Sequence, residues 1–294
     1  MNPNSKNCAQ AEPVRKTGLI MEGGAMRGMF TCGVIDVLME NNVRFDGAAG
    51  ISAGAVFGCN YKSRQIGRGI RYNKRYCNDS RYCSIRSLLL TGDLYNVDFC
   101  YRQIPDHLDP FDRQTFQNDP TAFYVGATDV KTGETVYHQC TDGGERDIKW
   151  FQGSASMPLV SKPVSVDGYS LLDGGITDAV PYRYMESIGY QRNLIILTQP
   201  DGYRKKPIPV LIKGLLRSHP AIADAMAVRH EMYNRQMEEI KTREENGSSF
   251  VIRPPEPLGI SRTEHKSAEL ERVYQMGRRE AEAALPRLKS FLNG

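Results

Sequence analysis

The chain has 294 residues, 40% hydrophobic and 24% charged, the balance of a soluble globular protein able to bury a substantial core. A formal charge of +4 is too mild to suggest nucleic acid by itself. Seven cysteines without a Cys-x-x-Cys pair argue against a disulfide framework or zinc ribbon and fit a reducing cytosol. Residues 1–16 are polar and lack the apolar core of a signal peptide. No apolar run approaches the ~18 residues of a membrane span, so a cytoplasmic protein with at most peripheral lipid contact is expected.

The first element is a buried strand over Thr17 to Met21, ending in the glycine turn Glu22-Gly23-Gly24. Apolar residues from Met29 to Leu38 then predict a helix ending near Asn41-Asn42. A second strand, Phe45 to Ala49, runs into Gly50-Ile51-Ser52-Ala53-Gly54 and a further helix through Phe57. This alternation predicts an α/β fold with a mainly parallel sheet covered by helices.

Residues 61–86 interleave Arg and Lys with Tyr61, Tyr72, Tyr76 and Tyr82. Such a stretch is either a surface for membrane or anionic substrate, or a plain solvated helical face. Nucleic acid is disfavoured, since no recognised binding motif accompanies it.

Farther on, 122–129 and 135–139 read as a hairpin, and 146–156 as a helix stopped by Pro158. Two short strands flank Asp167-Gly168, and another strand covers 194–198. Beyond a basic, proline-bearing segment, 208–245 and 263–291 read as mainly helical, with a last strand at 250–252. The expected organisation is a polar tail (1–16), a catalytic domain (17–200) and a helical extension (201–294) packed on that domain.

Three motifs carry chemistry. Gly50-Ile51-Ser52-Ala53-Gly54, between strand and helix, fits a nucleophile elbow, where small flanking residues let the backbone turn sharply beneath the hydroxyl. The alternative is a serine that merely caps the helix. Gly23-Gly24-Ala25-Met26-Arg27-Gly28 can bring backbone N–H groups close to a bound oxyanion. A dinucleotide fingerprint fits it poorly, because Ala25 stands where the second fingerprint glycine must approach phosphate. Asp173, in Leu171-Leu172-Asp173-Gly174-Gly175, ends an apolar strand at the sheet edge where α/β sites lie; a bare Asp-Gly-Gly turn is the rival.

Together these motifs resemble the patatin-like phospholipase family, which shows a glycine-rich loop, a Gly-x-Ser-x-Gly elbow and an Asp-Gly-Gly or Asp-Gly-Ala motif in this order. Further similar stretches are Gly153-Ser154-Ala155-Ser156-Met157-Pro158, Ala127-Thr128-Asp129 and Thr177-Asp178-Ala179-Val180-Pro181. The resemblance covers about residues 17–200. It implies a three-layer α/β/α hydrolase with a Ser52–Asp173 dyad acting on lipid esters, phospholipids or lysophospholipids foremost, without metal or organic cofactor. It also implies an oxyanion hole around Gly24 and Ala25, with Arg27 fixing the loop. Ala25 departs from the third glycine of the family loop, and a catalytically weak lipid- or partner-binding protein is the alternative it raises.

A Ser-His-Asp triad is the internal competitor. Of five histidines, His219, His230 and His265 follow the acid in chain order, and none lies in a glycine-marked loop after a strand. No metal motif of the His-x-x-x-His or acid–His type occurs in the sequence.

Overall fold

The computed structural model describes residues 15–209 and 214–293. Most of the polar tail, and residues 210–213 of the predicted helical segment, lie outside them.

Strand β1 (Lys16–Met21) is buried on both faces after its first two residues, as a central parallel strand requires. It lies between β2 (Gly47–Ile51) and β7 (Tyr190–Ile196), parallel to both. β3 (Ala122–Asp129) extends the parallel run beyond β2, and β8 (Ser249–Ile252) extends it beyond β7. At the β3 end the sheet turns antiparallel through β4 (Thr135–Cys140), β5 (Val164–Val166) and β6 (Tyr169–Asp173). The path through the sheet is β5-β6-β3-β2-β1-β7-β8, with β4 also on β3.

Helices cover both faces. The larger core packs α1 (Gly28–Glu40), α2 (Ala53–Lys62), α3 (Arg68–Tyr76), α6 (Glu145–Ala155) and the last helix against one side. The other face carries α7 (Tyr182–Ser187) and α8 (Pro220–Glu245), through Tyr182, Met185, Tyr233 and Ile240. The short helices α4 (Ile85–Thr91) and α5 (Arg113–Asn118) flank a π-wound segment, Phe99–Leu108. The architecture is three-layered α/β/α.

The last helix, α9 (Ser267–Asn293), packs directly on α1. A Cβ on Gly33 would lie 2.1 Å from the Tyr274 carbonyl oxygen, and one on Gly277 2.1 Å from that of Phe30. The two glycines therefore let the backbones touch. Buried Asp36 completes the seam by accepting from the Tyr274 hydroxyl at 2.8 Å.

Two strands are displaced from their expected spans. β2 runs two residues farther, so Gly50 and Ile51 are strand residues. β7 begins at Tyr190, because Tyr190, Arg192 and Asn193 pair with β1 despite the polarity of this stretch, with Gln191 left over at a register shift.

The tyrosines of the tyrosine–arginine stretch belong to the core and not to a surface. Tyr61, Tyr72, Tyr76 and Tyr82 are buried. The cations turn to partners within the protein: Arg68 donates to the Asp109 carbonyl oxygen, Arg71 grips the Asp109 carboxylate with two bonds, and Arg64 reaches Asp119. Lys62 is buried and donates to the carbonyls of Asp119 and Thr121, while Lys74 pairs with Glu271. The most exposed large apolar side chains among the described residues are on α4, where Ile85, Leu89 and Leu90 are 72%, 80% and 73% exposed. Among the described residues, no helix is long and apolar enough to cross a membrane.

Candidate active site

Strand β2 delivers Ser52 into a turn that only a crowded, glycine-lined backbone can make. Ser52 has φ 54° and ψ −121°, a conformation that costs a non-glycine residue about 1–3 kcal/mol. The surroundings hold it there. A Cβ on Gly50 would sit 2.3 Å from the Gly54 carbonyl oxygen, and one on Gly54 2.3 Å from that of Met21. The Ser52 amide is fastened from α6: its N–H donates to Ser154 Oγ at 2.8 Å, and that hydroxyl donates to the Gly126 carbonyl at 2.6 Å.

The Ser52 hydroxyl donates to Asp173 Oδ2 at 2.7 Å, with both side chains buried. Asp173 ends β6, and its other oxygen accepts the Gly175 N–H at 2.8 Å from the single-turn helix Gly174–Ile176. Its backbone is anchored on both sides, by N–H to the Ser156 carbonyl at 2.7 Å and by a bond from Thr128 Oγ1 to its own carbonyl at 2.9 Å. Burial raises the carboxyl above the ordinary range. Arg229, the Ser52 hydroxyl, the Gly175 amide and Lys205 each oppose that rise. The result is a carboxylate more basic than an exposed one, already bonded to the hydroxyl it would deprotonate.

Gly23 and Gly24 follow β1 and lead into a single 3-10 turn, Ala25–Arg27, which continues as α1 from Gly28. Among the described residues no carbonyl takes the N–H of Gly24 or Ala25; the first amide of a helical turn has no partner within that turn. Ala25 has φ 50°, the conformation for which glycine would be the less strained residue. Ala25→Gly is therefore expected to raise stability by about 1 kcal/mol, read as a shifted denaturation midpoint at unchanged slope. An unchanged or lowered midpoint would show that the Ala25 methyl contributes more through packing than it costs in strain.

Two clefts meet at Ser52, Ala25 and Met157. One, about 100 Å³, is apolar and aromatic, walled by Val56, Phe57, Tyr72, Tyr82 and Tyr101. The other, about 370 Å³, contains Asp173 and is lined by Arg27, Lys205, Arg229 and Arg262. At its base Glu22, buried at the end of β1, accepts from the Thr198 N–H and hydroxyl and from the Tyr233 hydroxyl, tying β1 to the end of β7 and to α8.

No histidine bonds to Ser52 or Asp173 among the described residues. His219 precedes α8, His230 lies 3.8 Å from Glu231, and His265 Nδ1 is 2.7 Å from the Cys77 carbonyl oxygen. A histidine–acid cluster does form, at another place. Ligand atoms of His138, Cys140 and Asp147 lie within 4.8 Å of one another, a grouping the sequence hides because the fold assembles it from β4 and α6. Its Asp147 is already saturated, by His138 at 2.7 Å and by the amides of Thr141, Asp142 and Gly143. The cluster pins the loop before α6.

Sequence reasoning missed Ser154, Lys205, Arg229 and Arg262. Ser154 stands in a stretch already noted for its likeness to the family, but nothing local links its hydroxyl to an amide 102 residues away. Lys205 lies in the segment whose only signal was basic composition, Arg229 in the stretch read as helical and Arg262 just before the next one, with no local mark on either.

A profile for patatin-like phospholipases matches residues 19–185, and one for a domain of unknown function matches 219–293. The uncharacterized protein YjjU of Escherichia coli is 26% identical, covering 90% of this chain and 75% of its own length. An uncharacterized NTE family protein of Mycobacterium tuberculosis is 24% identical over 73% of this chain, and the alignment spans 59% of that protein. Lysophospholipase nte1 of Emericella nidulans is 27% identical over 60% of this chain, which corresponds to only 11% of the fungal protein. Among solved structures, VipD of Legionella pneumophila aligns with 92% of this chain and 67% of its own at a TM-score of 0.42 and 14% identity. With the three glycine motifs in order and the profile matching more than half of its length, the chain belongs to the patatin-like phospholipase family.

Proposed function

We propose that the protein is a serine acyl hydrolase of lipid esters, working through a Ser52–Asp173 dyad and an acyl-enzyme. The observation that carries this reading is the 2.7 Å bond from Ser52 Oγ to Asp173 Oδ2, at the junction of an apolar and a cationic cleft. Ser52 Oγ attacks the ester carbonyl while Asp173 takes its proton. The N–H groups of Gly24 and Ala25 donate to the oxyanion, and the Arg27 amide, bonded to the Gly24 carbonyl at 3.1 Å, holds that loop in shape. The proton then passes from Asp173 to the leaving alkoxide, and water, activated by the same carboxylate, releases the acyl group. The acyl chain occupies the aromatic cleft, since burying its methylenes there supplies about 0.8 kcal/mol each.

The test is release of free fatty acid from single-chain phospholipid micelles. Wild-type protein is expected to release it, with the leaving alcohol freed first as the acyl-enzyme forms. Absence of release from phospholipid, monoacylglycerol and simple ester alike would overturn the reading.

A further inference from the structure

The cationic cleft holds more positive charge than the proposed reaction requires. Its walls present Arg27, Lys205, Arg229 and Arg262 against only two carboxylates, Glu22 and Asp173. Both carboxylates are occupied, Glu22 by Thr198 and Tyr233, and Asp173 by Ser52 and Gly175. Among the described residues none of the four cations forms an ion pair, and Arg27 Nε is buried without any hydrogen-bond partner.

These cations are held in place. The Lys205 backbone exchanges two bonds with the Asn234 side chain on α8, at 2.8 and 3.1 Å, and its ammonium lies 3.8 Å from the centre of the Tyr233 ring. Arg229 lies one turn before Tyr233 on α8, and its Nε donates to the Gly175 carbonyl at 2.5 Å, beside the dyad acid. The Arg262 backbone carbonyl accepts from the Tyr95 hydroxyl at 3.1 Å, joining this loop to the wall of the apolar cleft. Gathering like charges in a half-buried cleft is unfavourable unless an anion joins them. The strain shows at Lys205, whose ammonium is pushed down to about 7 by burial first and then by Arg229, with Arg27 and Arg262 adding and Glu22 opposing.

We infer that Arg27, Lys205, Arg229 and Arg262 form a subsite for a phosphate monoester, so that the ester cleaved at Ser52 is a single-chain acyl ester carrying a terminal dianionic phosphate. This rests on the reading of Ser52 as nucleophile. The charge count selects the monoester. A bound dianion holds Lys205 protonated, and four cations less two carboxylates then leave an excess of two, which a phosphomonoester, doubly charged above about pH 6, neutralises. A choline phosphodiester carries one negative charge and brings a cation of its own. Arginine forks also suit the oxygens of a terminal phosphate, which offers three equivalent acceptors. The aromatic cleft, which contains no cation, receives the acyl chain on the other side of Ser52.

The experiment compares kcat/KM for an acyl glycerol 3-phosphate, its choline phosphodiester and the neutral monoacylglycerol, all with one acyl chain. The phosphomonoester is expected to be preferred over the choline ester by about tenfold or more, as charge-assisted bonds to a terminal phosphate require. Lys205→Met with Arg262→Gln should remove most of that preference. Equal use of all three esters, or a preference untouched by the two substitutions, overturns the inference. Calorimetry on Ser52→Ala with glycerol 3-phosphate and with inorganic phosphate separates the subsite from the nucleophile. Binding of glycerol 3-phosphate that is lost in the double variant supports the subsite even if no ester is cleaved, in which case Ser52 is what fails. No binding of either probe overturns the subsite. Equal binding of both probes without ester preference makes it a site for free phosphate and overturns the substrate assignment.

Discussion

Ser52→Ala is expected to lower lipid-ester hydrolysis by about 10³-fold or more, because positioned oxyanion donors without a nucleophile retain only a small residue of catalysis. The same position separates chemistry from stability. At φ 54° and ψ −121° an alanine inherits the strain of the serine, whereas a glycine does not. Ser52→Gly should therefore be as inactive as Ser52→Ala yet more stable than it by about 1 kcal/mol, after the entropic cost of glycine in the unfolded chain. Equilibrium denaturation of the two variants in parallel with the fatty-acid assay checks both halves. Equal stabilities would mean that the turn is relaxed, and persistent hydrolysis would mean that another group attacks the ester.

Asp173→Asn should be the second large loss, about 10²–10⁴-fold in kcat, the range for removing a general base. Its pH signature differs from its stability signature. Burial holds the Asp173 carboxyl above the ordinary range, so the acid limb of kcat/KM should lie above that range, with activity rising as Asp173 ionises. Stability runs the other way. An acid whose folded pKa is raised stabilises the fold below its unfolded pKa, and that contribution disappears as pH rises through the folded value. At neutral pH the buried carboxylate is thus a cost, and Asp173→Asn is expected to be at least as stable as wild type, with its advantage shrinking on acidification. Denaturation at neutral and acidic pH, beside the pH–rate profile, checks this. A variant clearly less stable at neutral pH would show that the carboxylate serves mainly as a structural acceptor for Ser52 and Gly175.

The parts of this molecule legible in the sequence are those written in local pattern. Apolar runs without alternation marked the interior parallel strands, and glycines marked the turns at Gly23, Gly50 and Gly174. The family resemblance carried by the three motifs associates Ser52 with Asp173, and the fold brings the two side chains to bonding distance. What stayed hidden depends on distant residues meeting. The polar start of β7 looked like loop because its strand character comes from pairing with β1. The ion pairs of the tyrosine–arginine stretch were hidden because the partners, Asp109, Asp119 and Glu271, lie far along the chain. Arg229 reaches Gly175 only because α8 returns across the sheet. Long basic side chains carry no local mark that distinguishes a solvated cation from one lining a cleft.

The central claim, that Asp173 alone activates Ser52, is tested most directly by mapping the adduct of a fluorophosphonate probe by mass spectrometry in wild type and Asp173→Asn. One adduct is expected, on the peptide carrying Ser52, and none in Asp173→Asn although that variant remains folded. An adduct on another residue, or full labelling of Ser52 without the Asp173 carboxylate, would contradict it.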